Sequence, residues 1–384
     1  MQVSARVWRH FDVWLLAAVA ALTIASVAMI QSAIAGNESL AEAVPRQMIY
    51  AVIGLVVIVV AAAIDYRFWS AIARPIYVVV LVLLALIMAA GFVGFGAARW
   101  FNVGIVNIQP SELSKVLMII VLADYLARHQ HEIGQFRIFI RSLILAAVPA
   151  VLVFLQPDLS TAIVLGVIWV ALTFASGAKL RYFLVLLAIG AVILVLLSPL
   201  LIDYFNGPYQ AGEDFYFVQR YQMQRIVSFL LPDPEAHHGE SYNVNQAKIA
   251  IGSGGWFGQG YGHGTQTQLR FMKVRHTDFI FSALSEEFGF VGAIILLAVL
   301  GFIILRCLRA ARMARDQFGA LICYGVAILL LFQSAINVGM NLALIPVSGL
   351  PLPFVSYGGS SLVANLLGIG MVESVILRHK RIEL

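Results

Sequence analysis

Runs of about twenty apolar residues, enough to cross a bilayer as helix, recur along the whole chain. They begin at Val13 and end at Leu377. Within lipid a backbone must satisfy its own hydrogen bonds, and only helices and closed barrels do so. Barrel strands would alternate apolar and polar residues over about ten positions. These runs are continuous instead, so the expected fold is an all-α polytopic membrane protein. Composition agrees: 61% of the 384 residues are hydrophobic and 12% are charged, against about 25% charged in a soluble domain. Ten spans are expected, near 13–33, 47–64, 75–95, 112–128, 138–155, 160–176, 180–202, 279–305, 317–345 and 358–378. Residues 203–278 then form one long loop within a single membrane domain covering 1–384.

Lysine and arginine sort the spans by side. One side holds Arg6, Arg9, Arg67, Arg74, Arg128, Arg137, Arg141, Lys179 and Arg181, with clusters at Arg306–Arg315 and Arg378–Arg381. The short loops opposite hold only Arg46, Arg99 and Lys115. Short basic loops stay cytoplasmic, while long loops cross regardless of charge. Both termini are therefore expected inside and the 203–278 loop outside. The run after Arg9 is long enough to span and lacks a small-residue cleavage site, so it reads as a retained helix rather than a signal. The net charge of +5 is topology, not a nucleic-acid signal. Cys307 and Cys323 read as free thiols near cytoplasmic span ends. No internal repeat stands out.

Outside a bacterial-type inner membrane there is no nucleotide pool, so an enzyme there needs a substrate that arrives activated, for instance on a lipid. The glycines at 252–264 match neither phosphate-loop nor dinucleotide patterns. Four helices are expected to start on the outer face with marked sequences: Gln109-Pro-Ser-Glu112, Gln156-Pro-Asp158, Thr277-Asp278 and Ser356-Tyr-Gly-Gly-Ser-Ser361. Each has a capping pattern, and together they turn free N–H groups and positive dipole ends to one face. Such a face suits an anion such as pyrophosphate. Capping alone is the bland alternative at each start. Nearby cations are Arg46, Arg99 and Lys115. Lys115 shares a face with Glu112 three residues earlier, so the two can neutralise each other. Arg46 opposes the dipole at its helix start, which favours an anionic partner. Trp100 is either an interfacial belt residue or a sugar platform.

Asp278 sits at the membrane edge, where an ionisable group is costly and points to function. Ser282 and Ser285 continue its helical face, while Glu286 and Glu287 point elsewhere around the helix, so at least one of the two is structural. Gln333, Asn337 and Asn341 form a stripe suited to interhelical hydrogen bonding. The Gly255–Gly264 stretch, five glycines among Trp256, Phe257, Tyr261 and His263, is either a re-entrant turn or a close approach to ligand. Asp233, Glu235, His237 and His238 match no standard metal spacing.

These motifs resemble the SEDS family (shape, elongation, division and sporulation) over nearly the whole chain. The carrying stretches are Gln109-Pro-Ser-Glu-Leu113, Gln156-Pro-Asp158, Gly254–Leu269, His276-Thr-Asp-Phe-Ile-Phe281 and Pro353-Phe-Val-Ser-Tyr-Gly-Gly-Ser-Ser361. The Gly-Thr-Gln-Thr-Gln-Leu run is closer to the rod-shape, RodA-like branch than to the division branch. Two departures stand out: Ser160 where the family has Gly, and Lys273-Val274-Arg275 where Pro-Glu-Arg/Lys is common. The resemblance implies a peptidoglycan glycosyltransferase of the bacterial inner membrane that polymerises lipid II on the outer face. A class B penicillin-binding protein, a PBP2-like transpeptidase, and other elongation-complex proteins would be partners. It implies Asp278 as the essential carboxylate, supported by Arg46, Trp100, Glu112, Lys115 and Asp158; Arg275 is a further candidate for stabilising the pyrophosphate charge. A divalent cation, Mg2+ or Mn2+, would be shared with the pyrophosphate, since no dedicated metal cage is legible. The rival readings are a lipid II flippase and a non-catalytic scaffold. A flippase needs polar lining through the bilayer, whereas the cytoplasmic halves of these spans read as nearly uniformly apolar.

Overall fold

The computed structural model describes residues 8, 10–90, 92–94, 97–103, 106–207, 220–231, 239–272 and 274–379. Ahead of the long 203–278 loop run α1 (Val13–Ile34), α2 (Ala43–Ala63), α3 (Tyr66–Ala71), α4 (Ala73–Ala90), α5 (Pro110–Arg128), α6 (Phe136–Leu155), α7 (Leu159–Ala175) and α8 (Leu180–Asn206). The loop itself carries α9 (Arg220–Leu230), α10 (Gly239–Ser253) and α11 (Thr265–Gln268). The chain then continues through α12 (Ile280–Met313), α13 (Gln317–Asn341) and α14 (Gly359–Leu377). Among the described residues α1, α2, α6, α8, α12, α13 and α14 are long and apolar enough to cross a membrane. Helices α4 and α7 are apolar but shorter. Helix α5 carries Glu112, Lys115, Asp124 and Arg128 on 19 residues, which lowers its hydropathy.

The structure departs from an all-α chain between α4 and α5. Strands β1 (Phe92–Gly94), β2 (Ala97–Val103) and β3 (Val106–Ile108) form an antiparallel sheet in that order. Aromatic and β-branched residues favour strand, and glycines between them favour tight reversals. Helix α4 accordingly stops at Ala90, short of the expected 95. Helix α12 runs on to Met313, carrying its arginines beyond the apolar part.

The core is a continuous apolar cluster in which α14 is buried on nearly every side, packed along α2. By contrast α8 buries nothing along its apolar window and presents Leu187, Leu194 and Leu196 outward. In a chain whose solvent is lipid, such a surface costs nothing. At the N-terminal end of α1 Asp12 caps the helix through the Leu15 amide and accepts from Arg306 Nε at 2.6 Å. The Asp12 amide donates to buried Glu373 at 3.1 Å. That half of the bundle is therefore less uniformly apolar than the sequence pattern indicates.

Candidate active site

The four marked helix starts meet. The Gln109 amide donates to Ser360 Oγ at 2.9 Å, joining the starts of α5 and α14. Ser111 Oγ and Gln109 Nε2 reach Asp158 Oδ2 at 3.3 and 3.4 Å, joining α5 to α7. The Tyr357 amide donates to the His276 carbonyl at 3.0 Å, and Ser356 Oγ to the Thr277 carbonyl at 2.7 Å, joining α14 to α12. Ser160 of α7 donates to the Ser348 carbonyl, closing the circle next to Gly349 and Asp278.

Capping explains only one of these starts. Asp158 caps α7, accepting from the Thr161 amide at 3.2 Å. Helix α12 has Phe279 as its N-cap residue and makes no side-chain cap bond. Among the described residues nothing donates a hydrogen bond to the Asp278 carboxylate, and the residue stays partly accessible. Its backbone, in contrast, is clamped: Asn337 and Asn341 donate to the Asp278 carbonyl at 3.1 and 3.0 Å. The side-chain Oδ1 of Asn341 also accepts from the Ser282 amide at 3.1 Å. The asparagine stripe thus fixes the aspartate's place while leaving its side chain unspent. Burial pushes the Asp278 carboxyl up from its usual range, and the Arg225 guanidinium opposes that rise.

The other carboxylates of this helix are committed. Glu286 accepts from the Gln266 and Thr267 amides at 2.7 and 3.0 Å, from Thr267 Oγ1 at 2.7 Å and from Thr265 Oγ1 at 3.3 Å. It sits where the α11 dipole favours a negative charge. Glu287 accepts from Ser32 of α1. Just beyond them α12 breaks at Gly289, with φ 67° and ψ −166°. The glycine-rich loop fills that break. Gln259 and Gly260 amides donate to the Glu286 and Glu287 carbonyls at 2.9 and 3.0 Å. In return, Phe290 and Val291 amides donate to the Gly255 and Trp256 carbonyls at 2.8 and 3.1 Å. A Cβ on Gly258 would lie 2.1 Å from the Glu287 carbonyl oxygen, so only glycine permits the approach. The stretch is a backbone wedge.

Lys115 bonds Glu112 at 2.8 Å with both side chains buried, which leaves Glu112 Oε2 without a partner among the described residues. Arg46 pairs with Glu42 on the exposed first turn of α2 and lies beside Tyr357, whose phenol is raised chiefly by burial and lowered again by that cation. The Tyr357 ring meets His276 at 5.8 Å, two residues before Asp278. His276 is pushed down to about 4 by burial and by Arg275. Arg275 itself is spent on carbonyls, Ala33 of α1 and Met272 at 2.9 Å, and so secures the approach to Asp278. Trp100 lies on β2, paired with Phe92. The side chain of Arg99 and the Asp233, Glu235, His237 and His238 group lie outside the described residues.

Two site residues lie in the loop that charge counting passes over. Arg225 of α9 donates from Nε to Glu240 of α10 at 3.1 Å and from an NH group to the Ser348 carbonyl at 3.0 Å. No motif flags either residue; only the amphipathic pattern of α9 hints that its polar face is turned to the protein. Among the described residues no three His, Cys, Asp or Glu side chains converge as a metal site.

Relatives place this arrangement. The model for FtsW, RodA and SpoVE cell cycle proteins matches residues 8–381. Peptidoglycan glycosyltransferase MrdB of Escherichia coli strain K12 is 36% identical over 372 residues, 97% of this chain and 95% of that protein. A probable peptidoglycan glycosyltransferase FtsW of Thiomicrospira cyclica is 41% identical over 299 residues, 76% of this chain and 71% of that protein. Among solved structures, a chain of a peptidoglycan synthase complex that coordinates polymerization and crosslinking has a TM-score of 0.79 at 29% identity, covering 96% of this chain and 98% of that one. The rod shape determining protein RodA of Thermus thermophilus has a TM-score of 0.67 at 29% identity, covering 96% and 97%. A family match along the chain, near-complete relatives and a shared fold with Asp278 at its meeting point of helices agree: the chain belongs to the FtsW, RodA and SpoVE cell cycle proteins, the SEDS family.

Proposed function

We propose that this protein is a peptidoglycan glycosyltransferase that polymerises lipid II for cell elongation and rod shape, with Asp278 as its general base. One observation carries the reading: Asp278 is held by its backbone while its carboxylate neither caps α12 nor accepts a bond among the described residues. A carboxylate kept unspent at the membrane edge is free to take a proton. In the reaction the acceptor sugar's 4-hydroxyl attacks C1 of the donor sugar, forming the glycosidic bond as its proton passes to Asp278. The bond from C1 to the pyrophosphate oxygen breaks with inversion, and undecaprenyl pyrophosphate leaves with the electron pair.

A pyrophosphate leaving group needs charge stabilisation more than protonation. The converging starts of α5, α7 and α14 supply dipole ends, and Arg46 and Lys115 supply cations. Asp158 ties the starts of α5 and α7, Glu112 holds Lys115, Arg275 fixes the 272–278 segment, and Trp100 is the candidate sugar platform. Among the described residues no side chains assemble a metal cage, and Mg2+ or Mn2+ would be held chiefly by the pyrophosphate itself. Ten crossings with both termini cytoplasmic put this site on the outer face of the inner membrane. A class B penicillin-binding protein fits as transpeptidase partner, as does a wider elongation complex, because the relative of known structure belongs to a synthase complex.

The test reconstitutes the protein with its transpeptidase and labelled lipid II. Asp278→Asn and Asp278→Ala are expected to lower polymerisation by at least about 10²-fold, the typical contribution of a positioned base. Undiminished polymer from a folded Asp278→Ala protein sinks the base assignment. Movement of lipid II between leaflets without polymer would favour the flippase instead.

A further inference from the structure

We infer that Arg225 is a positioning residue for Asp278, so that the outer loop supplies part of the active site. The inference rests on the glycosyltransferase reading above and adds a residue to it.

The geometry centres on Gly349. A Cβ built there would lie 3.6 and 3.7 Å from the two terminal nitrogens of Arg225 and 3.9 Å from Asp278 Oδ2. Guanidinium and carboxylate therefore flank the same glycine, whose backbone has φ +72°. A side chain at that point would stand against both charged groups. The guanidinium is fixed from two other directions. Its Nε is held by Glu240 at 3.1 Å, and one NH group by the Ser348 carbonyl at 3.0 Å. That carbonyl also receives Ser160 of α7, so the guanidinium is tied to one of the converging helix starts. Arg225 lies on α9, whose Ile226 and Leu230 remain exposed. Apolar burial therefore does little to seat this helix, and its polar anchors count for more.

The chemical consequence concerns charge. Burial disfavours an ionised Asp278, and Arg225 is the cation that opposes this. Glu240 of α10 acts in the other direction: its carboxyl is raised by burial and, more weakly, by Asp278, while Arg225 lowers it. The remaining neighbours contribute little charge. Asn337 and Asn341 of α13 are neutral. The 342–358 segment contributes Tyr357, a phenol held high by burial, and His276 is held neutral near pH 7 with a value of about 4. Asp158 at the start of α7 is engaged by Thr161, Ser111 and Gln109. Burial and Arg225 thus set the balance at the base, and Glu240 competes with Asp278 for the same cation. With Arg225 seated beside it, Asp278 is favoured in its ionised, proton-accepting form.

The experiment measures pH profiles of lipid II polymerisation by the full chain with its transpeptidase, for wild type, Arg225→Gln, Arg225→Lys, Glu240→Gln and Asp278→Asn. Arg225→Gln is expected to move the acid limb to higher pH. A displacement of about one unit costs roughly tenfold in rate on that limb, with recovery toward the wild-type plateau at alkaline pH. Arg225→Lys keeps the charge and is expected to restore most of the limb. Glu240→Gln removes the opposing charge and is expected to move the limb the other way. An unchanged profile for Arg225→Gln, an equal loss at every pH, or shifts of the same sign in Arg225→Gln and Glu240→Gln would overturn the inference. Because Asp278→Asn is measured alongside, failure of the base assignment itself shows separately, as polymerisation by that variant.

Discussion

Asp278, Glu286 and Glu287 lie on one stretch of chain with the same chemistry and different fates. Glu286 has four donors, Glu287 is bound to α1, and Asp278 has none among the described residues. Sequence periodicity separated their faces but not their partners, because the donors come from loop amides at 266 and 267 and from Ser32. The titration shifts carry opposite stability signs. For His276 the folded value of about 4 lies below the unfolded one near 6.5, so the unfolded chain takes up the proton first. Stability is therefore expected to fall as pH drops from about 6.5 toward 4. For Asp278 the folded value is raised, so its stabilising contribution exists at acid pH and is lost as pH rises through that value. Two thermal unfolding series in detergent check this. His276→Gln should flatten the decline between pH 7 and 5. Asp278→Asn, neutral at every pH, should melt above wild type at pH 7, as expected where function costs stability.

At the scale of elements, the unusual feature is a membrane helix cut at Gly289 and bridged by the glycine-rich loop. The exchange of four backbone bonds satisfies amides and carbonyls that the break would orphan in lipid. It also makes the 280–288 half of α12, which carries Asp278 at its head, depend on the loop for its support. Gly258→Ala tests this: its φ of +82° and the 2.1 Å approach to the Glu287 carbonyl oxygen both exclude a side chain. We expect a loss of about 2–3 kcal/mol in stability together with reduced polymerisation. Gly252→Ala, in open space on α10, is the control and should gain up to about 1 kcal/mol from helix propensity. Equal melting temperatures for the two variants would refute the wedge. The glycines were legible as a pattern at 255–264, but their purpose was not, because the surface they approach is a helix break some thirty residues downstream that has no proline to announce it.

At the scale of the molecule, the prediction is sidedness. Native Cys307 and Cys323 are buried and free, so an introduced cysteine can be read against a quiet background. Trp256→Cys, 68% exposed on the wedge, should react with a membrane-impermeant maleimide in intact cells. Arg309→Cys, exposed at the far end of α12, should react only after the membrane is opened. The reverse pattern would invert the topology and remove the outer-face site.

Most of the architecture was legible in the sequence, since apolar runs and basic clusters act locally through the solvent that surrounds each segment. The four marked helix starts were legible as sequence patterns, and residues 109, 158, 278 and 356–361 do come together, although only Asp158 caps its helix. Only the tertiary structure decided how charges pair across the site: Arg275 with α1 carbonyls, and Arg225 with Glu240 beside Asp278. Pairing distances of about 3 Å between residues tens or hundreds of positions apart depend on how helices pack and where a loop settles, and no periodicity within one segment encodes that.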